Sequence, residues 1–204
     1  MTYLIFITFI TLIIAVLVTN TFYKNYLIDN SDVIALEHTY ANLPQIFYTL
    51  TKPGKLSDPQ IFLLNGDLAN ELDMNIDRLT TIQGTQLLCG NITSEYRLAQ
   101  AYAGHQFGNF TKLGDGRAVL LGEYTTPSGK TYDIHLKGSG KTAYSRNGDG
   151  KGVLGSMLRE YLISESMYKL KIPTTRSLAI ITTGETIVRD KTHYVGAILT
   201  RIES

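Results

Sequence analysis

The chain has a single cysteine, Cys89, among its 204 residues. One thiol can neither close an intrachain disulfide nor make up a zinc-ligand set. A disulfide-stapled secreted module is therefore excluded, and Cys89 reads as a small buried side chain. Charge is also scarce. Charged residues make up 18% of the chain and the formal net charge is +1, so no global field gathers nucleic acid or acidic partners. There is no run of Lys and Arg, and no nucleic-acid partner is expected. Internal repeats and low-complexity segments are missing. So are two nucleotide-binding signatures. Without G-x-x-x-x-G-K-[ST] the chain is not a P-loop protein. Without G-x-G-x-x-G followed by V-A-I-K it is not an ordinary protein kinase.

The first residues lack charge altogether: none appears before Lys24, and Tyr3 to Val18 reads YLIFITFITLIIAVLV. The stretch is long enough to cross a bilayer as a helix. It has neither the basic n-region nor the small-residue cleavage site of a cleaved signal peptide. Residues 1–23 are therefore expected to be a hydrophobic helix acting as an anchor or signal, followed by a linker over 24–35. An uncleaved anchor is preferred over a cleaved signal, a misassigned start or a buried apolar arm. Lys24 after the span points to a cytoplasmic C-terminal side. The expected location is membrane-anchored with the domain facing the cytoplasm, or cytoplasmic if the start is misassigned. The missing arginine disfavours a mitochondrial transit peptide.

What is present is a globular composition, 44% hydrophobic, over residues 36–204. Pro44 interrupts Leu36–Leu50. Gln60–Leu64 reads as a strand and Gly66–Leu72 as a helix with Asp67 near its start; Thr85–Cys89 fits either state. Leu113–Tyr124 and Thr131–Lys137, joined by TTPSGK, predict a β-hairpin. Ile134 and Leu136 alternate with Asp133, His135 and Lys137, so one face of the second strand is polar. Gly152–Leu170 is the clearest helix, with Leu154, Met157, Leu158, Tyr161 and Leu162 on one stripe and Pro173 beyond its end. Ser177–Thr182 and Tyr194–Thr200 predict a second hairpin around a polar turn. The order hairpin, helix, hairpin makes the fold α+β, an antiparallel sheet covered by a helix.

Four clusters could carry chemistry. In Gly114-Asp115-Gly116-Arg117 the glycines permit close backbone approach and Arg117 offers a fork of donors suited to phosphate; a plain turn is the alternative. Lys137, at a strand end before Gly-Ser-Gly, could neutralise a triphosphate or simply be solvated. Glu160, beside Arg159 and the apolar stripe, could reach a lysine on the sheet and fix it against phosphates, or pair within its helix. Tyr144–Gly150 is a glycine-rich segment feeding a helix N-terminus, a favourable place for anions, or a flexible connector. Together they follow a kinase-like order of glycine loop, lysine strand and glutamate helix.

YAGHQFG (Tyr102–Gly108), LGDGRAVLLGE (Leu113–Glu123), LKGSGKTAYSRNGDG (Leu136–Gly150), LREYLISESM (Leu158–Met167) and IPTTRSL (Ile172–Leu178) strongly resemble the selenoprotein O family, as does TYANLPQIFY (Thr39–Tyr48) upstream. The resemblance runs from about Leu36 to the chain end. It implies the N-terminal part of a pseudokinase-like domain, an incomplete kinase-like N-lobe, that binds ATP in a flipped orientation. Such proteins transfer AMP to Ser, Thr or Tyr hydroxyls of protein substrates. It implies nucleotide contacts at Gly114, Gly116, Arg117, Lys137, Asp149, Gly150 and Arg201, with Glu160 positioning the lysine. The family's catalytic base Asp, its metal-binding Asn and Asp for Mg²⁺, and a further arginine would follow Ser204, so neither catalytic nor metal-ligating residues are expected within the chain. An anchor is not a usual family feature. The competing expectation is a non-catalytic, membrane-tethered remnant that binds nucleotide or a partner, or an unstable product. Exposed apolar surface is expected in either case. A sequon at Asn109-Phe-Thr111 lies beside the glycine loop, where glycosylation would crowd the nucleotide, and argues mildly against secretion.

Overall fold

Pro44 lacks an N–H and fixes its own φ, and the chain around it forms two short 3₁₀ turns, Thr39–Asn42 and Gln45–Phe47, with no continuous helix. The computed structural model describes residues 33–52, 54–92, 96–106 and 108–203. The apolar run at residues 3–18, read as an anchor, lies outside them. Among the described residues no helix is long and apolar enough to cross a membrane. The folded body begins within the stretch read as linker, because Ile34 is buried in the core.

The elements in chain order are β1 (Tyr48–Leu50), β2 (Gln60–Leu64), α1 (Gly66–Glu71), α2 (Ile76–Leu79), α3 (Ile82–Leu88), β3 (Leu98–Gln100), β4 (Ala103–Gln106), β5 (Asn109–Lys112), β6 (Ala118–Thr125), β7 (Thr131–Lys137), α4 (Leu154–Lys169), β8 (Arg176–Arg189) and β9 (Thr192–Glu203). Side-chain oxygens start the three short helices. Asn65, Asn75 and Thr81 accept from the N–H groups of Leu68, Arg78 and Gly84, each satisfying a donor that the first turn leaves unpaired. Thr85–Cys89, ambiguous in sequence, is helical through Leu88.

Seven strands form one antiparallel sheet in the order β1-β3-β6-β7-β9-β8-β2, and β4 and β5 make a separate two-stranded sheet. The strand read from Leu113 begins only at Ala118. Asp115 exchanges hydrogen bonds with Gln100, its N–H donating to the Gln100 carbonyl at 2.9 Å and its carboxylate accepting the Gln100 N–H at 2.9 Å, which holds 113–117 as a loop. The second hairpin is longer than its apolar runs suggested. β8 continues through a register shift between Thr182 and Thr186 and turns at Asp190 and Lys191, both with positive φ (47° and 66°). A two-residue loop of this kind matches the right-handed twist of its strands.

Both faces of the sheet are covered. On one side Leu178, Ile181, Ile198, Ile134 and Leu136 pack with Leu68, Leu79 and Leu88 of α1–α3. Thr200 Oγ1 donates to the Leu88 carbonyl at 2.7 Å across this layer. On the other side α4 lays Met157 on Ile180, Ala197 and Leu199, flanked by Leu154, Leu158 and Tyr161. Leu162 does not join this stripe: it is 62% exposed and Ile163 57%. The stripe continues instead through buried Ser164, whose hydroxyl meets Ser177 Oγ at 2.8 Å, and through Glu165, which binds Arg176. Polar partners on β8 thus rotate the helix face away from Leu162. At the sheet's other end the buried Glu123 carboxylate accepts from the Thr39 and Tyr40 N–H groups at 2.9 and 2.8 Å, fastening the first 3₁₀ turn to β6.

Candidate active site

The alternation in β7 sets which side chains face the cleft. Ile134 and Leu136 enter the core beside α1–α3, while Asp133, His135 and Lys137 point to the opposite face. That face is polar but not solvated: His135 is 1% exposed. β9 pairs with β7 and places Arg201 opposite His135 and Glu203 opposite Asp133. α4 crosses the same face and brings Glu160 over both strands.

Here Lys137 and Glu160 form an ion pair. Glu160 also meets Arg201 at 3.4 Å, and Arg201 meets Glu203 at 2.7 Å. One carboxylate on the helix therefore restrains a lysine and an arginine from two neighbouring strands. The three side chains keep between 17 and 27% of their exposure, so the pairs are partly shielded from water and from screening. Arg201 Nε is buried and has no partner among the described residues.

In front of this triad lies an open cleft of about 1160 Å³. Its walls are two loops, 113–117 before β6 and 141–150 after β7. Gly114, Gly116, Arg117, Lys137, Asp149, Gly150 and Arg201 all line it, and Glu160 stands behind Lys137. Every residue that the resemblance assigns to the nucleotide or to positioning the lysine is thus at or against one cavity. Among the described residues, six cationic side chains line it against two carboxylates, Asp115 and Asp149, so its field favours an anion.

The glycines serve a purpose the sequence did not reveal. A Cβ on Gly114 would lie 2.4 Å from the Tyr144 ring, and one on Gly116 would lie 2.9 Å from the Tyr144 carbonyl. The missing side chains admit Tyr144, which closes one loop upon the other. The segment 144–150 also does not feed α4 directly. Ser139 pairs with Lys151 and Val153 with Gly196, so three extended residues separate the loop from the helix, and the first turn of the helix does not line the cleft.

Two interactions escaped the sequence reading because the partners are distant in the chain. Asp149 accepts from Arg189 Nη2 at 2.8 Å, and Lys151 Nζ meets Glu185 at 2.9 Å. Both cations bind the long β8–β9 hairpin to the 149–151 loop. Glu203 was legible in principle, since it lies two residues beyond Arg201 on the same face of one strand.

Burial pushes the Asp149 carboxyl up, but the Lys151 N–H and the Arg189 guanidinium outweigh it and hold it below the ordinary carboxylate range. Burial drives His135 down to about 4, against the opposing pull of Asp115; its ring is neutral at neutral pH and leaves the cleft charge to the arginines and lysines. Asp133 is pushed up to about 6 by burial and by Glu123 and Glu203 on the adjacent strands. Its folded pKa lies above the ordinary value of 3.8, so its contribution to stability is complete below about pH 4 and is lost as pH rises through about 6. Asp133→Asn should therefore raise Tm at pH 8, by about 2–4 °C given partial solvent screening, and leave it nearly unchanged at pH 4. Equal gains at both pH values would remove the electrostatic explanation.

The sequence model of the family described as protein adenylyltransferase SelO matches residues 32–204. Curated proteins named protein nucleotidyltransferase YdiU are similar over most of the chain. That of Clostridium botulinum (strain Loch Maree / Type A3) is 58% identical over 169 residues, covering 82% of this chain and 34% of the relative. That of Anoxybacillus flavithermus (strain DSM 21510 / WK1) is 56% identical over 168 residues, covering 81% and 35%. That of Bacillus cereus (strain AH820) is 56% identical over 171 residues, covering 83% and 35%. The chain spans about a third of the length of these relatives.

Proposed function

Because the chain belongs to the protein adenylyltransferase SelO family, we propose that it is the ATP-binding part of an enzyme that transfers AMP to Ser, Thr or Tyr hydroxyls of proteins. The observation that carries the reading is the Lys137–Glu160–Arg201 triad at the back of a cationic cleft walled by two glycine-rich loops. The fold in this reading is a kinase-like N-lobe: an antiparallel sheet, a helix across one face, and a sheet lysine paired with a helix glutamate.

Placement around the cleft supports these roles. Arg117 and the 113–117 loop hold one side of the polyphosphate. Lys137 and Arg201, kept apart and aimed by Glu160, neutralise its inner end. Asp149 and Gly150 shape the opposite wall. AMP transfer breaks the bond between the α- and β-phosphates and releases pyrophosphate, so cations fixed where that charge develops favour the transition state over the ground state. Flipping the nucleotide brings the α-phosphate to the place where a kinase holds the γ-phosphate.

Magnesium normally bridges the phosphates in such chemistry. Among the described residues no group of three His, Cys, Asp or Glu could hold a metal. The exposed carboxylate on the cleft wall, Asp149, is occupied by Arg189 and the Lys151 N–H. These residues do not make a magnesium site by themselves.

The second reading is a nucleotide-binding module without transfer activity. It is favoured by one observation: among the described residues the cleft is lined by six cations and two carboxylates, and both carboxylates are engaged, Asp115 by the Gln100 N–H and Asp149 by Arg189. Titration of the full chain with ATP by calorimetry tests the shared premise. Saturable binding that adenosine does not match supports a phosphate-reading cleft, and heat from neither ligand would falsify both readings. Transfer of labelled AMP to a protein acceptor then separates the enzyme from the module.

A further inference from the structure

Resting on the nucleotide reading, we propose that Arg146 is a second phosphate-binding arginine that works with Arg117 as a clamp at the cleft mouth. The six cations of the cleft fall into two groups. Lys137, Arg201, Lys151 and Arg189 are each answered by a carboxylate. Arg117 and Arg146 are exposed and have no carboxylate partner among the described residues. The first group is held in place by the protein; the second is open to a ligand that brings its own charge.

The two free arginines are kept together by a lock between their loops. Ser145 Oγ donates to the Gly116 carbonyl at 2.5 Å, and Thr142 Oγ1 donates to the Asp115 carbonyl at 2.5 Å. Ser145 Oγ in turn accepts the Thr142 N–H at 2.7 Å. The Tyr144 ring lies against Gly114, and its hydroxyl meets Thr49 Oγ1 at 2.9 Å. Arg117 and Arg146 are thus each one residue beyond two residues, Gly116 and Ser145, that are hydrogen-bonded to one another.

Arg146 has φ +53°, a left-handed conformation that a glycine or asparagine would adopt at less cost. Backbone strain at a residue with a side chain aimed at a ligand cleft is a recurring mark of function. Two guanidinium forks on facing loops suit the oxygens of a polyphosphate better than one, since each can bind in a bidentate manner.

The test is calorimetry of the full chain with ATP, inorganic tripolyphosphate and adenosine, comparing wild type with Arg146→Gly and Arg146→Lys. Glycine fits the left-handed backbone, so Arg146→Gly should fold at least as stably as wild type, which a thermal melt checks. ATP and tripolyphosphate affinity should fall about tenfold in Arg146→Gly and less in Arg146→Lys, with adenosine affinity unchanged. Wild-type ATP affinity in Arg146→Gly would overturn the clamp while leaving the nucleotide reading intact. A parallel fall for adenosine would make Arg146 a structural residue only. If wild type binds neither ATP nor tripolyphosphate, the nucleotide reading fails and the clamp with it.

Discussion

Lys137→Ala should lower ATP affinity by about a hundredfold or more, equivalent to about 2.7 kcal/mol, while adenosine binding stays close to wild type. Two changes act in the same direction. The phosphates lose a cation that the sheet aims into the cleft. They also gain an under-compensated neighbour, because among the described residues the Glu160 carboxylate retains one cation, Arg201, at 3.4 Å. Removing one member of a partly buried charge pair leaves the other both desolvated and repulsive, at a cost of about 2–5 kcal/mol in comparable interfaces.

The same argument makes the double variant informative. Lys137→Ala with Glu160→Gln deletes the stranded negative charge but keeps the shape of the side chain. It should bind ATP more tightly than Lys137→Ala alone, although more weakly than wild type. Coupling of this sign is expected of residues in direct contact. Equal affinities for the single and double variants would mean that the phosphates do not sense Glu160, and the triad would then be a structural device of the sheet.

The sequence was most informative where function depends on local pattern. Strict alternation from Asp133 to Lys137 identified both the core face and the cleft face of one strand, because a strand's period of two is insensitive to what lies beyond it. The order of Lys137 and Glu160 was legible, and the packing of α4 on β8 and β9 turns that order into a contact. Where long-range partners decide, pattern failed. The Leu162 position fits the apolar period of the helix, yet Ser164 and Glu165 are held by Ser177 and Arg176 and set a different face inward. The outer half of the second hairpin lacks an apolar run and so predicts a turn, yet it is paired strand, and Arg189 and Glu185 tie it to Asp149 and Lys151. β4 and β5, which pair only with each other among the described residues, carry too few apolar residues to register as strands. Gly114 and Gly116 leave room for Tyr144, a partner distant in sequence that no local pattern shows.

Gly150 is where a single methyl group should do the most damage to the fold and the site together. It lies at φ +68°, and a Cβ there would sit 2.0 Å from the Gly140 carbonyl oxygen and 2.3 Å from its carbon. The obstacle is backbone, not the end of a mobile side chain. The Gly140 N–H donates to the Gly150 carbonyl at 3.2 Å, so relieving the clash separates a hydrogen-bonded pair. The strands beyond cannot yield either: a Cβ on Gly152 would meet the Ala197 carbonyl at 2.6 Å, so the 150–152 segment is already wedged between the 138–140 turn and β9. Left-handed strain alone costs an alanine about 1–2 kcal/mol. With the displacement of Gly140 added, Gly150→Ala should lose about 3 kcal/mol or more, a fall of about 6–12 °C in Tm for a domain of this size. Its ATP binding should disappear, because the 149–151 wall and the Lys137 end of β7 move apart. Gly155→Ala is the matched control. It lies in the first turn of α4 with nothing within 4 Å of a Cβ, and alanine there should stabilise by about 0.5–1 kcal/mol through lower unfolded-state entropy. A Gly150→Ala variant that melts with wild type and still binds ATP would show that the two glycine segments can part without consequence, and the cleft would then owe its shape to the Tyr144 lock alone.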